Sequence, residues 1–179
     1  MFTTASTPEP ADMDRTSCFR AHTPEWASTP TSGAGAAIAG GRWNRSGQEA
    51  LYLSFDPLTA VKESNQQVQD FIPITLVRYQ VSGGKIGDYR DESFRARFGL
   101  RDDLVETAWW GPDFEHTPAP SQKAAADLIE KGFDGLIYPS SQAAGINLVL
   151  WRWNEQGGTT VAVEDTHGVL PRDRSSWRR

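Results

Sequence analysis

The chain has 179 residues, of which 38% are hydrophobic and 23% charged, a composition that suits one globular domain and excludes a wholly disordered protein. Its net charge of −5 at pH 7 argues against direct binding of polyanions such as nucleic acid. A lone cysteine, Cys18, excludes an internal disulfide, and no apolar run reaches the roughly 18 residues of a membrane span. We therefore expect a protein of the reducing cytoplasm that does not bind membranes.

The two ends of the chain differ in composition from the middle. Residues 1–14 are rich in Thr, Ala, Pro and acidic side chains and show no apolar periodicity, which predicts a disordered leader. The last eight residues, 172–179, hold four Arg and one Asp, and we expect residues 166–179 to form a solvated basic tail. We expect residues 15–165 to form a single folded domain.

The first half of this domain predicts two strands, a long loop and a helix. Residues 18–22 suit a short strand, and the stretch 24–41, which contains Pro and many small residues, predicts a long irregular connection. Residues 50–54 alternate as a strand. Asp56 then provides an N-cap for a helix that begins at a proline and covers about residues 57–69.

The apolar pattern of that helix predicts which side of it is buried. Leu58, Val61 and Val68 lie three and seven residues apart and should form the buried stripe. Glu63 is about 200° around the helix from Val61 and shares a second face with Ala60. We therefore expect Glu63 to point away from the core, towards solvent or a cleft.

The second half of the domain predicts more strands than helices. Residues 72–81 are the longest β-rich stretch, whereas residues 88–116 mix charged and aromatic side chains and suggest a weakly helical connection. Ser121 can cap a helix over residues 122–131. Three shorter strands follow, separated by glycine-containing turns, and predict a meander or a mixed sheet: residues 135–138, 147–153 and 159–163.

The glycine-rich stretch 33–38 matches no common phosphate-binding loop. It lacks the third glycine and the preceding strand of a dinucleotide fingerprint, and no glycine pair is followed by Lys-Ser or Lys-Thr. The three histidines lie far apart in sequence without carboxylate or thiol neighbours at ligand spacing, and no G-x-S-x-G motif occurs. We therefore expect neither a metal site nor a serine hydrolase.

Polar side chains near the ends of predicted strands are the remaining candidates for a site. The motif Gly40-Gly41-Arg42-Trp43-Asn44 puts an arginine beside two glycines, so that the backbone can approach a ligand while the planar guanidinium binds a phosphate. Tyr52 follows on a strand and Glu63 on a helix, so these side chains can converge from loop, strand and helix. The alternative for Arg42 is an ordinary surface arginine in a turn.

The order of these motifs resembles the RES domain family, which is named for an Arg, a Glu and a Ser and forms the toxin half of bacterial type II toxin–antitoxin pairs. The resemblance spans about residues 20 to 151. Its motifs are Phe19-Arg20-Ala21-His22, Ser32-Gly33-Ala34-Gly35-Ala36, Gly40-Gly41-Arg42-Trp43-Asn44, Ala50-Leu51-Tyr52-Leu53-Ser54, Glu63, Gly132-Phe133-Asp134-Gly135-Leu136-Ile137-Tyr138-Pro139-Ser140 and Asn147-Leu148-Val149-Leu150. Residues 88–116 and the basic end match none of these motifs.

The resemblance implies an α+β fold like that of ADP-ribosyltransferases, with a split mixed β-sheet and flanking helices. It also implies an enzyme whose substrate is NAD⁺ and which cleaves the nicotinamide–ribose bond without a metal. Glu63 would stabilise the ribosyl cation that forms. The other implied residues bind NAD⁺ or take part in catalysis: Arg20, Arg42, Tyr52, Ser140 and Asn147.

Some of these residues also have a structural interpretation. Ser140 and Asn147 suit a strand-end cap and a sheet turn. Tryptophans can line a nucleotide pocket, but on strands they more often belong to the core or to a partner surface. We assign no catalytic role to the five tryptophans concerned, Trp43, Trp109, Trp110, Trp151 and Trp153.

The resemblance further implies a cognate antitoxin protein that covers the cleft, and contact with nucleic acid only through that antitoxin. It leaves open whether the ADP-ribose passes to a target protein, to water or to phosphate. A second hypothesis is a non-catalytic nucleotide-binding or interaction module that acts through a protein partner. Glu63 argues against it, because a carboxylate beside bound phosphates costs Coulombic energy.

Overall fold

A computed structural model describes residues 11–65, 73–111, 114 and 117–173, and within them the chain forms seven β-strands and four α-helices. The strands are β1 (Thr16–His22), β2 (Leu51–Ser54), β3 (Thr75–Ser82), β4 (Ile86–Asp88), β5 (Gly135–Pro139), β6 (Ile146–Leu150) and β7 (Thr160–Val163). The helices are α1 (Ala34–Ala39), α2 (Pro57–Ser64), α3 (Glu92–Phe98) and α4 (Pro120–Glu130).

The strands join one mixed sheet in the order β4-β5-β6-β2-β1-β3-β7. β4 and β5 run parallel, and the other neighbours run antiparallel. β1 pairs with β3 along its whole length, whereas its register with β2 is the single pair Phe19↔Ser54. The sheet is therefore nearly split between β1 and β2. The predicted α+β architecture, a mixed sheet with flanking helices, is confirmed.

The two faces of the sheet carry two hydrophobic clusters, because successive residues of a strand point to opposite faces. Leu51 and Leu53 of β2 belong to one cluster, whereas Tyr52 of β2 packs against the other, which includes the preceding residue Ala50. The cluster that contains Ala50 packs under α3 and α4, and its aromatic members are Trp43, Tyr89, Phe94, Phe133, Tyr138 and Trp151. Alternate side chains of β2 therefore pack into hydrophobic clusters on opposite faces of the sheet.

α2 begins where the sequence predicts and ends earlier. Asp56 caps it, since its carboxylate accepts hydrogen bonds from Thr59 N at 2.8 Å and Thr59 Oγ1 at 2.6 Å, and Pro57 occupies the first turn. The helix ends at Ser64, not near Gln69. Residues 66–72, which include the start of the strand predicted over residues 72–81, lie outside the described part of the chain.

The buried face of α2 is not the predicted one. Leu58 is 63% exposed, whereas Thr59 and Ala60 are buried. α2 packs against β1 and β2 next to the split in the sheet, and the small side chain of Ala60 allows close approach there. The stripe proposed from Leu58 and Val61 is therefore wrong, and its third member, Val68, lies outside the described residues. Glu63 shares the inward face of Ala60, three residues away.

The folded part extends beyond both predicted boundaries. Met13 is buried, and the backbone N–H of Ala11 donates to the carbonyl oxygen of Ile86, so folded structure begins before residue 15. Leu170 packs against the cluster that contains Leu51, so it continues past residue 165. The apolar side chains of Met13 and Leu170 are too isolated in sequence to show a period. The first ten and last six residues lie outside the described part.

Three shorter elements differ from the sequence-based expectation. The connection 24–41 is not wholly irregular, because its alanine-rich end forms α1, as the high helix propensity of alanine favours. The stretch 88–116 contains one regular helix, α3, which Asp91 caps. Ser121 does not cap α4: the N-cap is Ala119, whose N–H donates to Gln122 Oε1 at 3.0 Å.

Candidate active site

A cavity of about 290 Å³ opens where the sheet splits. β1 and β2 form its floor, α2 and the turn after α1 form two of its sides, and Trp109 closes part of another. Its lining includes five of the six residues that the sequence analysis singled out: Arg20, Arg42, Tyr52, Glu63 and Asn147. The sixth, Ser140, contacts Glu63 directly. The structure therefore brings all six together.

The carboxylate of Glu63 is held by two side chains from the other half of the chain. Its Oε1 accepts a hydrogen bond from Ser140 Oγ at 2.5 Å and another from Asn147 Nδ2 at 2.6 Å. Asn147 is buried, and its Oδ1 accepts from Ser54 Oγ at 2.7 Å, which fixes the orientation of the amide. Both donors stabilise the charged carboxylate and fix its direction.

The turn between β5 and β6 sets the position of Ser140. The Oγ of Ser140 accepts hydrogen bonds from the N–H groups of Gln142 and Ala143, both at 3.0 Å. Its own proton is therefore directed to Glu63. Gly145 closes the turn and packs against Thr59 of α2, where a Cβ atom on Gly145 would overlap the threonine hydroxyl. The turn and α2 thus lock together, and Ser140 acts both as a strand-end cap and as a donor to Glu63.

Arg42 is anchored on one side and open on the other. Its Nη1 donates to the carbonyl oxygens of Leu104 at 3.0 Å and Thr107 at 2.7 Å. Burial lowers the pKa of Arg42, and the nearby Tyr138 and Glu63 oppose that shift. Among the described residues no carboxylate forms an ion pair with Arg42. The guanidinium is thus a partly desolvated cation that faces the cavity, not an ordinary surface arginine.

Arg20 is a second cation of the same kind, placed on β1. Its Nη1 donates to the carbonyl oxygen of Ser32 at 3.2 Å, and burial lowers its pKa. No ion pair with Arg20 occurs in the part of the chain that the structure describes. His22, two residues along β1, is buried and bonded to Tyr79 through its Nε2 at 2.5 Å. Burial and the charge of Arg20 lower the pKa of His22 to about 3, so the imidazole is neutral.

The hydroxyl of Tyr52 is used to hold the turn that carries Arg42. It donates to Asn44 Oδ1 at 2.7 Å and accepts from Trp43 N at 3.0 Å, and burial raises its pKa. A Cβ atom on Gly41 would lie 2.5 Å from the Tyr52 oxygen, so glycine is required there for packing within the protein. The ring of Tyr52 still lines the cavity. The sequence-based reason for that glycine, approach to a ligand, is therefore incomplete.

Sequence reasoning missed three contributors to the site. Asn44 is buried, and its Nδ2 donates to the carbonyl oxygens of Ala36 and Gln48, which shapes the turn. Ser54 orients Asn147, a partnership that only the pairing of β2 with β6 reveals. Trp109 lines the cavity, whereas Trp43 belongs to the core. No periodic pattern around Trp109 marked it.

The described residues contain no group of three or more His, Cys, Asp and Glu side chains arranged to hold a metal ion. Cys18 lies buried within the cluster that contains Leu51, away from the cavity lining, and burial raises the pKa of its thiol to about 12. Among the described residues that line the cavity, the charged groups are one carboxylate and two guanidinium groups.

The sequence profile of the RES domain matches residues 17–173. The chain belongs to the RES domain family. Among solved structures, it is similar to the MbcT toxin in the crystal structure of the M. tuberculosis MbcT–MbcA toxin–antitoxin complex, with 18% identity and a TM-score of 0.63 over 86% of this chain and 83% of that one. This likeness shows that the two chains share the same overall fold. No curated protein matches the sequence significantly.

The match to the RES domain includes every residue that surrounds the cavity. It also includes residues 88–116, in which the sequence analysis found no family motif, so this segment lies within the domain. In the described part of the chain, no helix is both long enough and apolar enough to cross a membrane.

Proposed function

We propose that this RES domain is an enzyme that cleaves the nicotinamide–ribose bond of NAD⁺ and acts as a toxin. One observation carries the proposal: a carboxylate, Glu63, is oriented by Ser140 and Asn147 in the same cavity as two cations, Arg20 and Arg42, that lack an acidic partner among the described residues. A cavity with this charge pattern suits a ligand that carries phosphates at one position and develops positive charge at another.

The reaction needs a group that stabilises a cation. When the bond between ribose C1′ and the nicotinamide nitrogen breaks, its electron pair leaves with nicotinamide, and the ribose becomes an oxocarbenium-like cation until a nucleophile adds to C1′. The nucleophile's proton passes to Glu63 or to solvent. Two hydrogen bonds already fix the direction of the carboxylate, so this step requires little reorganisation energy.

The two arginines suit the pyrophosphate. A planar guanidinium binds phosphate oxygens with two parallel hydrogen bonds, and each charge-assisted bond contributes about 1.5–3 kcal/mol. Arg42 keeps the donors of its Nε and Nη2 atoms available, since its described bonds to protein use Nη1. The ring of Tyr52 offers a face for the nicotinamide or the ribose. The cavity of about 290 Å³ is small for a ligand pocket, so it would enclose part of the dinucleotide.

The acceptor of the ADP-ribose decides which class of enzyme this is. We propose to incubate the purified chain, free of any partner, with NAD⁺ labelled in the adenine ring and a bacterial cell extract. Label on a protein band identifies a protein ADP-ribosyltransferase, free ADP-ribose a glycohydrolase, and a product that requires phosphate a phosphorylase. Intact NAD⁺ would refute the enzyme proposal, and intact but bound NAD⁺ would favour a non-catalytic nucleotide-binding module.

An enzyme that consumes NAD⁺ in its own cytoplasm needs an inhibitor, so we propose a cognate antitoxin protein that covers the cavity. The similar MbcT was solved as a toxin–antitoxin complex. Three segments that border the cavity each carry an exposed apolar side chain, Ile38, Leu58 and Trp110, and such side chains anchor protein partners. A partner carboxylate would compete with pyrophosphate for Arg20 and Arg42.

The co-produced partner can be titrated against NAD⁺ binding and against growth arrest. Competitive displacement of NAD⁺ together with restored growth supports occlusion of the cavity. Simultaneous binding of NAD⁺ and the partner would contradict it and indicate a remote mechanism of inhibition.

A further inference from the structure

The segment that follows α3, residues 99–111, is anchored to the core and contributes Trp109 to the cavity lining. Tyr89, which is buried, holds it with one hydroxyl: this group donates to the carbonyl oxygen of Arg101 at 2.7 Å and accepts from Leu104 N at 3.1 Å. Leu104 and Val105 insert into the core. A loop with two backbone bonds to a buried hydroxyl and two side chains in the core has little freedom to move.

The same segment contributes to the proposed NAD⁺ site in two ways. The carbonyl oxygens of Leu104 and Thr107 accept both bonds from Arg42 Nη1. The turn that presents these carbonyls is closed by Thr107, whose N–H and hydroxyl both donate to the carbonyl oxygen of Asp103. Two residues after Thr107, Trp109 lines the cavity. The segment therefore orients a cation and adds an aromatic side chain to the same cavity.

Trp109 and its neighbour Trp110 differ sharply in environment. Trp110 is 75% exposed, whereas Trp109 is partly buried and lies against the cavity. The indole of Trp109 has no ring partner among the described residues, whereas the ring of Tyr138, another aromatic of the lining, packs edge-on against Trp43 at 5.4 Å. An indole at the cavity without such a partner can contact the flat face of a bound ring.

We infer that Trp109 is a substrate-binding residue that stacks on an aromatic ring of the bound dinucleotide. The inference rests on the proposed function, because it needs a ligand that joins phosphates to a planar base. Arg42 and Trp109 then recognise the two kinds of group from one wall. Base stacking on an aromatic side chain is lost when that side chain becomes alanine, which weakens binding roughly 5- to 150-fold.

The test uses binding without turnover, so each variant also carries Glu63→Gln. Dissociation constants for NAD⁺ are measured by calorimetry for Glu63→Gln alone and combined with Trp109→Ala, Trp109→Phe or Trp110→Ala. We expect Trp109→Ala to weaken binding at least fivefold, Trp109→Phe to weaken it less because a ring remains, and Trp110→Ala to stay within twofold. Near-ultraviolet circular dichroism checks that each variant is folded, and Trp109→Phe keeps the test decisive if Trp109→Ala does not fold.

Two fragments of NAD⁺ show which ring is stacked. ADP-ribose keeps the adenine and nicotinamide mononucleotide keeps the nicotinamide, so the effect of Trp109→Phe or Trp109→Ala should follow one fragment and be absent with the other. The inference would be overturned if Trp109→Ala and Trp110→Ala bound NAD⁺ with equal affinity. It would also be overturned if Trp109→Phe and Trp109→Ala weakened NAD⁺ binding equally. If Glu63→Gln alone binds no NAD⁺, the proposed function fails first, and that result is distinct from failure of the stacking inference.

Discussion

Ser140 Oγ and Glu63 Oε1 lie 2.5 Å apart although 77 residues separate them in sequence. The bond joins the turn after β5 to the end of α2, on the side of the sheet where β1 and β2 separate. It fixes the only carboxylate that lines the cavity among the described residues. The proposed cleavage of NAD⁺ depends on the chemistry of that carboxylate.

Glu63→Gln tests its role with a nearly isosteric change. The amide oxygen can still accept from Ser140 and Asn147, so the fold should persist, but the charge that stabilises the ribosyl cation is lost. We expect NAD⁺ consumption to fall about 10²- to 10⁴-fold with little change in melting temperature. Glu130→Gln, at an exposed glutamate of α4 outside the cavity lining, is the matched control and should keep nearly full activity. Activity of Glu63→Gln within a few-fold of the wild type would assign the carboxylate a different role.

Asn147→Asp tests the geometry around Glu63. The change puts a carboxylate oxygen where the amide nitrogen now lies 2.6 Å from Glu63 Oε1, so a hydrogen bond becomes a repulsion between like charges. We expect both activity and the free energy of unfolding at pH 7 to fall, the latter by about 1–3 kcal/mol. Denaturant titration measures the stability. Asn147→Ser, which removes the donor without adding charge, should be less destabilised, and the reverse order would contradict this view of the site.

Arg42→Lys keeps the charge and loses the planar pair of donors. A lysine ammonium cannot serve both the carbonyl oxygens of Leu104 and Thr107 and a pyrophosphate in the way that a guanidinium does. We expect the apparent affinity for NAD⁺ to fall about tenfold or more, with binding measured by calorimetry. Arg45→Lys, an exposed arginine three residues away, is the control. Unchanged affinity in Arg42→Lys would make Arg42 a structural residue.

The free energy of unfolding should depend on pH through His22, and the variant His22→Gln should reduce this dependence. Burial lowers the pKa of His22 to about 3, below the value of about 6.5 in an unfolded chain. Between these values the unfolded chain takes up a proton that the native protein does not. The free energy of unfolding should therefore fall as pH drops below 6.5, by up to about 1.4 kcal/mol per pH unit from this group.

Urea unfolding at pH 5, 6 and 7 compares the wild type with His22→Gln. The variant should show a flatter pH dependence over this range, whatever its absolute stability. The exposed His167→Gln is the control and should follow the wild type. Equal slopes for the wild type and His22→Gln would show that His22 does not contribute to the dependence.

The sequence predicted six of the seven described strands, because their burial alternates or is continuous and this produces a period that can be read locally. It missed the three-residue β4 and extended β6 to residue 153, whereas the strand ends at Leu150. It placed Glu63 on a face away from Leu58, which is correct, but chose the wrong side of α2 as the core. Only the assembled sheet shows that α2 needs small residues such as Ala60 facing inward, next to the split. Two apolar residues on so short a helix do not settle which face is buried.

The sequence identified only those residues of the site that lie within the family motifs. They located Arg42, Glu63 and Ser140 but gave no role to Trp109, because the segment that carries it has no periodic pattern and no motif. Its position depends on bonds to Tyr89 that are formed through tertiary structure. Ser54 escaped notice for a similar reason, since its partnership with Asn147 exists only across two paired strands.

We propose that this chain breaks the nicotinamide–ribose bond, and release of free nicotinamide measures that step whatever the acceptor is. The purified wild-type chain is incubated with NAD⁺ and, separately, with NADH, whose dihydronicotinamide is not a cationic leaving group, and nicotinamide is quantified by chromatography. We predict one nicotinamide for each NAD⁺ lost, release at least about 100-fold slower with Glu63→Gln, and none from NADH. NAD⁺ that remains intact with the partner-free wild type, or that is consumed equally by Glu63→Gln, would contradict the account.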